Sequence, residues 1–211
     1  MIFQQTSIHW RTTLQTAYFD TKEWLEAYQT VDKDEDRKEL RRDMEHQRNK
    51  WIKPPTGFVK CNYDGAFNNT QIETRAGWII RDELGIFKGA AHASNQQPKT
   101  ALEGELKALL LAMMNCWSKG YRHVIFEGDN INVMKLANGE TTNIDVTNWI
   151  RDIWRWAAKF EEIKFCWTNR NSNLCADILA KQVIPSFSSF HYYSYVPEFI
   201  RDAMSNDYFD H

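Results

Sequence analysis

Two aspartates of this 211-residue chain stand where a β-strand is predicted to end. Asp64 closes the polar face of an alternating stretch, and Asp129 follows a short apolar run. If the two strands are neighbours, both carboxylates lie at the carboxyl edge of the sheet, where α/β folds place their ligands. Two carboxylates so close together stay ionised only with a cation between them. Oxygen ligands without Cys or His favour Mg²⁺ or Mn²⁺ over Zn²⁺.

A predicted helix that begins near Thr100 offers two further carboxylates, Glu103 and Glu105. Both lie at the margins of its apolar face, so helical periodicity alone leaves the choice between them open. Glu103 has Lys107 one turn later, in the orientation that favours a surface ion pair. Glu105 has small and apolar neighbours and no local basic partner, which is compatible with a metal ligand or with a simply exposed side chain.

Asp177 lies on the last predicted helix, one turn after Asn173 and one turn before Lys181. Taken alone, the spacing of Asp177 and Lys181 is that of an ordinary helical ion pair. The joint placement of Asp177 with the other three carboxylates, on two strand ends and two helices of one sheet, is the stronger signal for a metal site.

Hydrophobic periodicity predicts an α/β fold with the element order β-β-β-α-β-α-α-β-α. Strands are expected over residues 58–67, 76–81, 86–93, 123–127 and 162–168, and helices over residues 100–117, 130–137, 146–159 and 173–182. The first three strands are joined by short turns and form an antiparallel meander, whereas strands separated by helices pair in parallel. The expected architecture is a mixed five-stranded sheet, three antiparallel plus two parallel strands, flanked by helices.

The segment Lys53-Pro54-Pro55-Thr56-Gly57 interrupts the periodic pattern and marks a boundary. Residues 1–52 are predicted to be a helical N-terminal extension, with a helix over residues 13–50 whose acidic and basic side chains are interleaved. Residues 53–183 form the main domain. Residues 184–211 form an aromatic-rich tail that we expect to pack on the domain or on the N-terminal helix.

Bulk properties narrow the class of protein. The formal net charge is −2, so nucleic-acid binding must come from a local basic patch. The four cysteines form no C-x-x-C pair and no zinc-type cluster, which favours reduced, buried thiols and an intracellular location, in the nucleus or cytoplasm. No apolar run approaches the roughly 18 residues that span a bilayer, so no membrane partner is expected.

Four segments of the chain resemble the motifs of ribonuclease H type 1 domains, in the same order and on the expected elements. They are Asn62-Tyr63-Asp64-Gly65-Ala66-Phe67, Leu102-Glu103-Gly104-Glu105-Leu106-Lys107-Ala108-Leu109, Phe126-Glu127-Gly128-Asp129-Asn130, and Arg170-Asn171-Ser172-Asn173-Leu174-Cys175-Ala176-Asp177-Ile178-Leu179-Ala180-Lys181. The resemblance covers residues 57 to about 181 and is especially close to the ribonuclease H-like domains of plant non-LTR retroelements and their free-standing relatives. The second motif selects Glu105 rather than Glu103.

The resemblance implies an endoribonuclease that cleaves the RNA strand of an RNA–DNA hybrid with two Mg²⁺ ions, for which Mn²⁺ can substitute. Asp64, Glu105 and Asp129 would hold one ion, and Asp64 and Asp177 the second. The products would carry 5′-phosphate and 3′-hydroxyl ends. A catalytically silent, retroelement-derived nucleic-acid-binding module is the alternative. A 3′–5′ exonuclease is disfavoured, because Asp64 begins Asp-Gly-Ala rather than Asp-x-Glu.

The resemblance also implies contacts to nucleic acid. The candidate residues are Gly65, Ala66, Asn130, Arg170, Asn173, Arg151 and Arg155. Gly65 and Ala66 are expected to recognise 2′-hydroxyls through their backbone amides. Two departures from the family pattern reduce the expected efficiency: the loop over residues 169–172 has no histidine, and residues 138–145 contain no Lys or Arg. The stripe of Arg151, Arg155 and Lys159 either contacts phosphates or forms an ordinary solvated helix face.

Overall fold

The structure is a computed structural model, and it describes residues 50–67, 73–96, 100–183 and 189–208. The helix predicted over residues 13–50 lies outside the described residues apart from Lys50. Over the ranges described, none of the helices combines the length and the apolar character that crossing a membrane requires.

The described strands form one mixed sheet. Its members are β1 (Val59–Ala66), β2 (Glu73–Arg81), β3 (Phe87–Gln96), β4 (His123–Gly128), β5 (Glu162–Trp167) and β6 (Phe190–Tyr193). Their order across the sheet is β5-β4-β1-β2-β3-β6. β1, β2, β3 and β6 pair in antiparallel fashion, and β4 pairs in parallel with both β1 and β5. The predicted meander and the two parallel strands are therefore present.

The helices flank this sheet. They are α1 (Ala101–Ser118), α2 (Ile131–Ala137), α3 (Thr147–Ala157), α4 (Leu174–Lys181) and α5 (Arg201–Tyr208), with short 3₁₀ turns over Ile144–Val146, Asn171–Asn173 and Glu198–Ile200. The Thr100 hydroxyl caps α1 by accepting the backbone N–H of Glu103 at 3.2 Å, as its position in the sequence predicts. The predicted α/β architecture, a mixed sheet flanked by helices, is confirmed.

The strand count differs from the prediction, because the sheet has six strands rather than five. β6 comes from the aromatic-rich tail and pairs with residues 90–93 of β3. Four residues are too few for a periodic pattern, and only the neighbouring edge of β3 makes them a strand. Later in the tail, the described residues Ile200 and Met204 join a buried cluster with Ile79 and Leu179.

The sheet buries different side chains on its two faces because successive residues of a strand alternate. One face packs against α1 and α3 through a large apolar core that includes Tyr63, Trp78 and Phe126. The opposite face carries polar side chains of β1 and β4 among its apolar ones. There the buried Asn62 amide accepts hydrogen bonds from Trp51 Nε1 at 2.8 Å and from an Arg81 nitrogen at 2.9 Å.

A buried ion pair lies in the same layer. Lys60 Nζ is 2.6 Å from Glu127 Oε1 and donates to the Ile52 carbonyl at 2.5 Å. Asn62 Nδ2 donates to the other oxygen of Glu127 at 3.2 Å. These bonds cross from β1 to β4, so they hold together the strand that contains Asp64 and the strand that Asp129 follows.

Replacing Lys60 by Met is expected to lower the free energy of unfolding by about 3–5 kcal/mol, because the Glu127 carboxylate stays buried without its cation. Urea unfolding of the variant and the parent measures this. The matched control is Lys164→Met, whose exposed pair with Glu162 at 3.1 Å should be worth about 0–1 kcal/mol. Equal losses in both variants would contradict the interpretation of the Lys60 pair.

Candidate active site

The pairing of β1 with β4 places the two strand-end aspartates side by side. Asn62 and Glu127 are register partners in this parallel pair, and Asp64 and Asp129 follow each of them by two residues. Both carboxylates therefore reach the same carboxyl edge of the sheet, as the sequence predicts. Asp64 is buried and Asp129 is partly exposed.

Glu105 reaches this edge because α1 approaches the end of β1 very closely. A Cβ atom added to Gly65 would lie only 2.9 Å from the Gly104 carbonyl oxygen, so a larger residue at position 65 would push the helix away. The backbone N–H of Gly65 donates to the Glu105 carboxylate. The backbone amide of Gly65 therefore helps to position the Glu105 carboxylate through a hydrogen bond within the protein.

Asp64, Glu105 and Asp129 form the acidic cluster of the site. Each offers a carboxylate oxygen, and these atoms lie within 4.8 Å of one another. Asp177 is not part of this group. Its carboxylate is 2.6 Å from Lys181 Nζ and 3.5 Å from an Arg170 nitrogen, so the helical ion pair considered from the sequence is present.

Burial and mutual repulsion shift the acidity of the cluster. Burial, and then the charges of Asp129 and Asp177, raise the pKa of Asp64 to about 7, although Lys181 and Arg170 act in the opposite direction. Burial, and then Asp64 and Asp129, raise the pKa of Glu105 well above its usual range, against the hydrogen bond from Gly65. Together these shifts describe carboxylates that need a positive charge to be stable in their ionised form.

Two polar atoms near the cluster are buried without a hydrogen-bond partner among the described residues: the Tyr63 hydroxyl and Asn173 Oδ1. Burial, followed by the charges of Glu105, Asp129 and Asp64, raises the pKa of the Tyr63 hydroxyl well above its usual range. The hydroxyl is thus a neutral, buried donor whose acidity is affected by the charges of the acidic cluster.

The donor set fits a hard divalent cation. The three converging ligands are carboxylates, the described part of the chain brings no Cys or His into the group, and one of them, Asp64, is buried. Such oxygen sites suit Mg²⁺ or Mn²⁺ better than Zn²⁺, which prefers nitrogen and sulfur ligands. The unpartnered Tyr63 hydroxyl is consistent with a site that is completed by a ligand.

The residues predicted to bind nucleic acid have varied surroundings. Arg170 is exposed and lies beside Asp177. Asn130 caps α2, because its side-chain oxygen accepts the N–H groups of Asn132 and Val133 at 3.1 and 3.4 Å. Arg155 is exposed and pairs with Asp152 at 3.1 Å on the surface of α3. The exposed Arg151 lies on the same helix, and Gly65 and Ala66 are partly exposed.

Asn173, which the sequence predicts to contact nucleic acid, is buried. It is 1% exposed, and its Nδ2 donates to the Tyr63 carbonyl at 2.9 Å. We propose that Asn173 positions α4 against β1 rather than contacting nucleic acid directly.

The sequence analysis did not single out Trp167, which ends β5 beside the cluster. Its Nε1 donates to the Asp129 carbonyl at 3.0 Å, and 53% of the residue is exposed. The alternation of β5 could have indicated an outward-facing indole, but its proximity to Asp129 depends on the parallel pairing of β4 with β5.

The pKa shift of Asp64 predicts how stability depends on pH. The pKa of Asp in an unfolded chain is about 3.9, and folding raises the pKa of Asp64 to about 7. Its contribution to stability is therefore fully present below about pH 4 and is lost as the pH rises through about 7. Because a cation competes with protons for the carboxylates, Mg²⁺ should raise the melting temperature by roughly 5 °C more at pH 8.5 than at pH 5.5.

Thermal unfolding with Mg²⁺ or EDTA across this pH range measures the effect. Asp64→Asn should flatten the pH dependence, since it removes one of the titrating groups. A Mg²⁺ shift that is the same at both ends of the range would contradict the proposed coupling between protons and cation.

The comparisons with known proteins agree on one family. The model of the family described as reverse transcriptase-like matches residues 62–183. A protein of Arabidopsis thaliana named as a ribonuclease H protein is 27% identical over 157 residues, which is 74% of this chain. The match spans 24% of that relative's length, so the chain corresponds to about a quarter of it.

Solved structures share the fold. A ribonuclease H1 from Halobacterium salinarum superimposes with a TM-score of 0.56 at 21% identity, covering 59% of this chain and 95% of its own. The LC11 ribonuclease H1, solved in complex with an RNA/DNA hybrid, gives a TM-score of 0.52 at 18% identity, covering 57% of this chain and 92% of its own.

Proposed function

Because this chain belongs to the reverse transcriptase-like family and carries a ribonuclease H-like domain of the plant retroelement type, we propose that it is a metal-dependent ribonuclease acting on RNA–DNA hybrids. The observation that carries this proposal is the convergence of three carboxylates within 4.8 Å at the edge of the sheet. A protein with the same fold was solved with an RNA/DNA hybrid, which supports the substrate class.

In the proposed mechanism, the chemistry that Mg²⁺ would supply when bound is activation of a water and neutralisation of the charge on the leaving 3′-oxygen. Asp64, Glu105 and Asp129 would hold one ion, and Asp64 and Asp177 a second. The close approach of Gly65 to α1 holds Glu105 in place. Hydrolysis would leave 5′-phosphate and 3′-hydroxyl ends on the RNA.

The basic residues beside Asp177 have a part in this proposal. Lys181 and Arg170 lie 2.6 and 3.5 Å from its two carboxylate oxygens. Their positive charges pair with the Asp177 carboxylate. Arg170 is exposed, so we propose that its guanidinium turns from Asp177 to contact a substrate phosphate.

A catalytically silent nucleic-acid-binding module is the second candidate. The observations that favour it are the loop over residues 169–172, which has no histidine, and the segment 138–145, which has no basic residue. Both features predict weaker substrate binding or slower turnover than an enzyme that has them.

The deciding experiment uses the full chain and a labelled RNA–DNA hybrid whose RNA 3′ end is blocked. We expect internal cuts in the RNA strand with Mg²⁺ or Mn²⁺, no cuts in EDTA, and none in a DNA duplex of the same sequence. Binding of the hybrid without metal-dependent cleavage would overturn the ribonuclease proposal and support the catalytically silent module. Removal of nucleotides only from an unblocked RNA 3′ end would indicate an exonuclease.

A further inference from the structure

We propose that Trp167 is a substrate-contacting residue of this site, whose indole packs against the nucleotide next to the scissile phosphate of the hybrid. This inference rests on the proposed function and adds a contact that the four carboxylates do not provide. It is carried by three properties of Trp167: its exposure, its rigidity and its position.

Trp167 exposes an unusually large apolar surface for its position. Of the residue, 53% is accessible, although it terminates a strand that pairs fully with β4. An indole left half in water gains free energy when a ligand covers it, and bases and sugars offer matching flat or apolar surfaces.

The indole is held in one orientation by its surroundings. Its Nε1 donates to the Asp129 carbonyl at 3.0 Å. The following backbone is fixed as well, because Thr168 N–H donates to the Gly128 carbonyl at 3.0 Å and the Asn169 side-chain oxygen accepts the Ser172 N–H at 3.0 Å. A side chain that is ordered before binding loses little conformational entropy on contact, which increases its contribution to affinity.

The position of Trp167 identifies what covers it. The hydrogen bond to the main-chain carbonyl of Asp129 places the indole beside the backbone of a residue that belongs to the acidic cluster. A phosphodiester whose phosphate is bound at the cluster has its adjoining nucleotide within reach of this side chain. Arg170, with an exposed side chain three residues later, adds a positive charge to the same end of β5. An aromatic ring beside a cation is a usual combination for binding a nucleic-acid strand.

The chain contains a matched control in Trp154. This residue is 47% exposed, and its Nε1 donates to the Ala137 carbonyl at 2.9 Å, at the end of α2 remote from Asp129. Trp154 and Trp167 thus share residue type, exposure and hydrogen-bond type, and they differ in their distance from the acidic cluster.

The test measures hybrid affinity by fluorescence anisotropy in Mg²⁺, with every variant made in an Asp64→Asn background to prevent cleavage. Trp167→Ala should weaken binding by roughly 5- to 100-fold, the range of one aromatic–nucleotide contact. Trp167→Phe, which keeps a ring and loses the N–H, should bind within about threefold of the background protein, and Trp154→Ala should bind like it. Hybrid should also quench the intrinsic fluorescence less in Trp167→Phe.

The outcomes separate the two proposals. If the Trp167→Ala variant binds the hybrid as tightly as the background protein, the contact is overturned. If Trp167→Phe, in the Asp64-containing protein, lowers kcat as much as Trp167→Ala while KM is unchanged, Trp167 only positions Asp129, and the contact is again overturned. If the parent binds hybrid in a Trp167-dependent way without cleaving it, the ribonuclease proposal fails and the contact stands.

Discussion

Asp64→Asn is expected to lower Mg²⁺-dependent cleavage of an RNA–DNA hybrid by at least about 1,000-fold, equivalent to roughly 4 kcal/mol of transition-state stabilisation. Asp64 is the buried member of the cluster, and both other carboxylates offer an oxygen within 4.8 Å of it. An amide has nearly the same shape but removes the negative charge that would hold the cations. Initial rates of cleavage at saturating Mg²⁺ measure the loss.

The same substitution should not unfold the protein. Without a cation, burial disfavours the ionised form of Asp64 and the charges of Asp129 and Asp177 repel it, and together these effects raise its pKa to about 7. The melting temperature of Asp64→Asn in EDTA at pH 8 should therefore equal or exceed that of the parent. Asp152→Asn, which changes an exposed aspartate paired with Arg155, is the control and should keep full activity. Activity within tenfold of the parent in Asp64→Asn would remove this carboxylate from the mechanism.

Glu105→Gln should greatly reduce cleavage and Glu103→Gln should hardly change it, although the two glutamates lie two residues apart on α1. Glu105→Gln is expected to reduce cleavage by about 100-fold or more, since Glu105 belongs to the cluster and receives the Gly65 N–H. Glu103 interacts instead with Lys107: burial lowers the pKa of that lysine, and the charge of Glu103 acts in the opposite direction. Glu103→Gln should keep activity within about threefold of the parent, because the substitution removes only a weak side-chain pair on the helix surface.

The measurement for this pair is the rate of cleavage against Mg²⁺ concentration. Glu105→Gln should require more Mg²⁺ for half-maximal activity, and Glu103→Gln should have an unchanged requirement. Similar losses in both variants would mean that the substitutions act through the helix, and the assignment of Glu105 as a ligand would then fail.

The element order and the two strand-end aspartates could be predicted because their signals are local. Alternation in β1 and the apolar stripe of α1 require only neighbouring residues to be read. The placement of Asp64 and Asp129 needed one further assumption, that their strands are neighbours. The pairing of β1 with β4 shows that they are.

Periodicity could not decide between Glu103 and Glu105, because both lie at the margin of the same helix face. The decision depends on how closely α1 approaches Gly65, which is a tertiary distance. The sixth strand likewise exists only because the edge of β3 accepts a four-residue segment. The Asp177–Lys181 pair was a local alternative, and the structure shows it formed.

The sequence by itself therefore determined which carboxylates end the strands of this fold, because side-chain alternation and helical spacing are properties of adjacent residues. The tertiary structure alone decided which carboxylates converge. It brings Glu105 to the cluster, leaves Asp177 beside Lys181 and Arg170, and sets Trp167 against Asp129. The physical reason is that these contacts join residues far apart in the chain, and their distances follow from strand pairing and helix packing rather than from any local pattern.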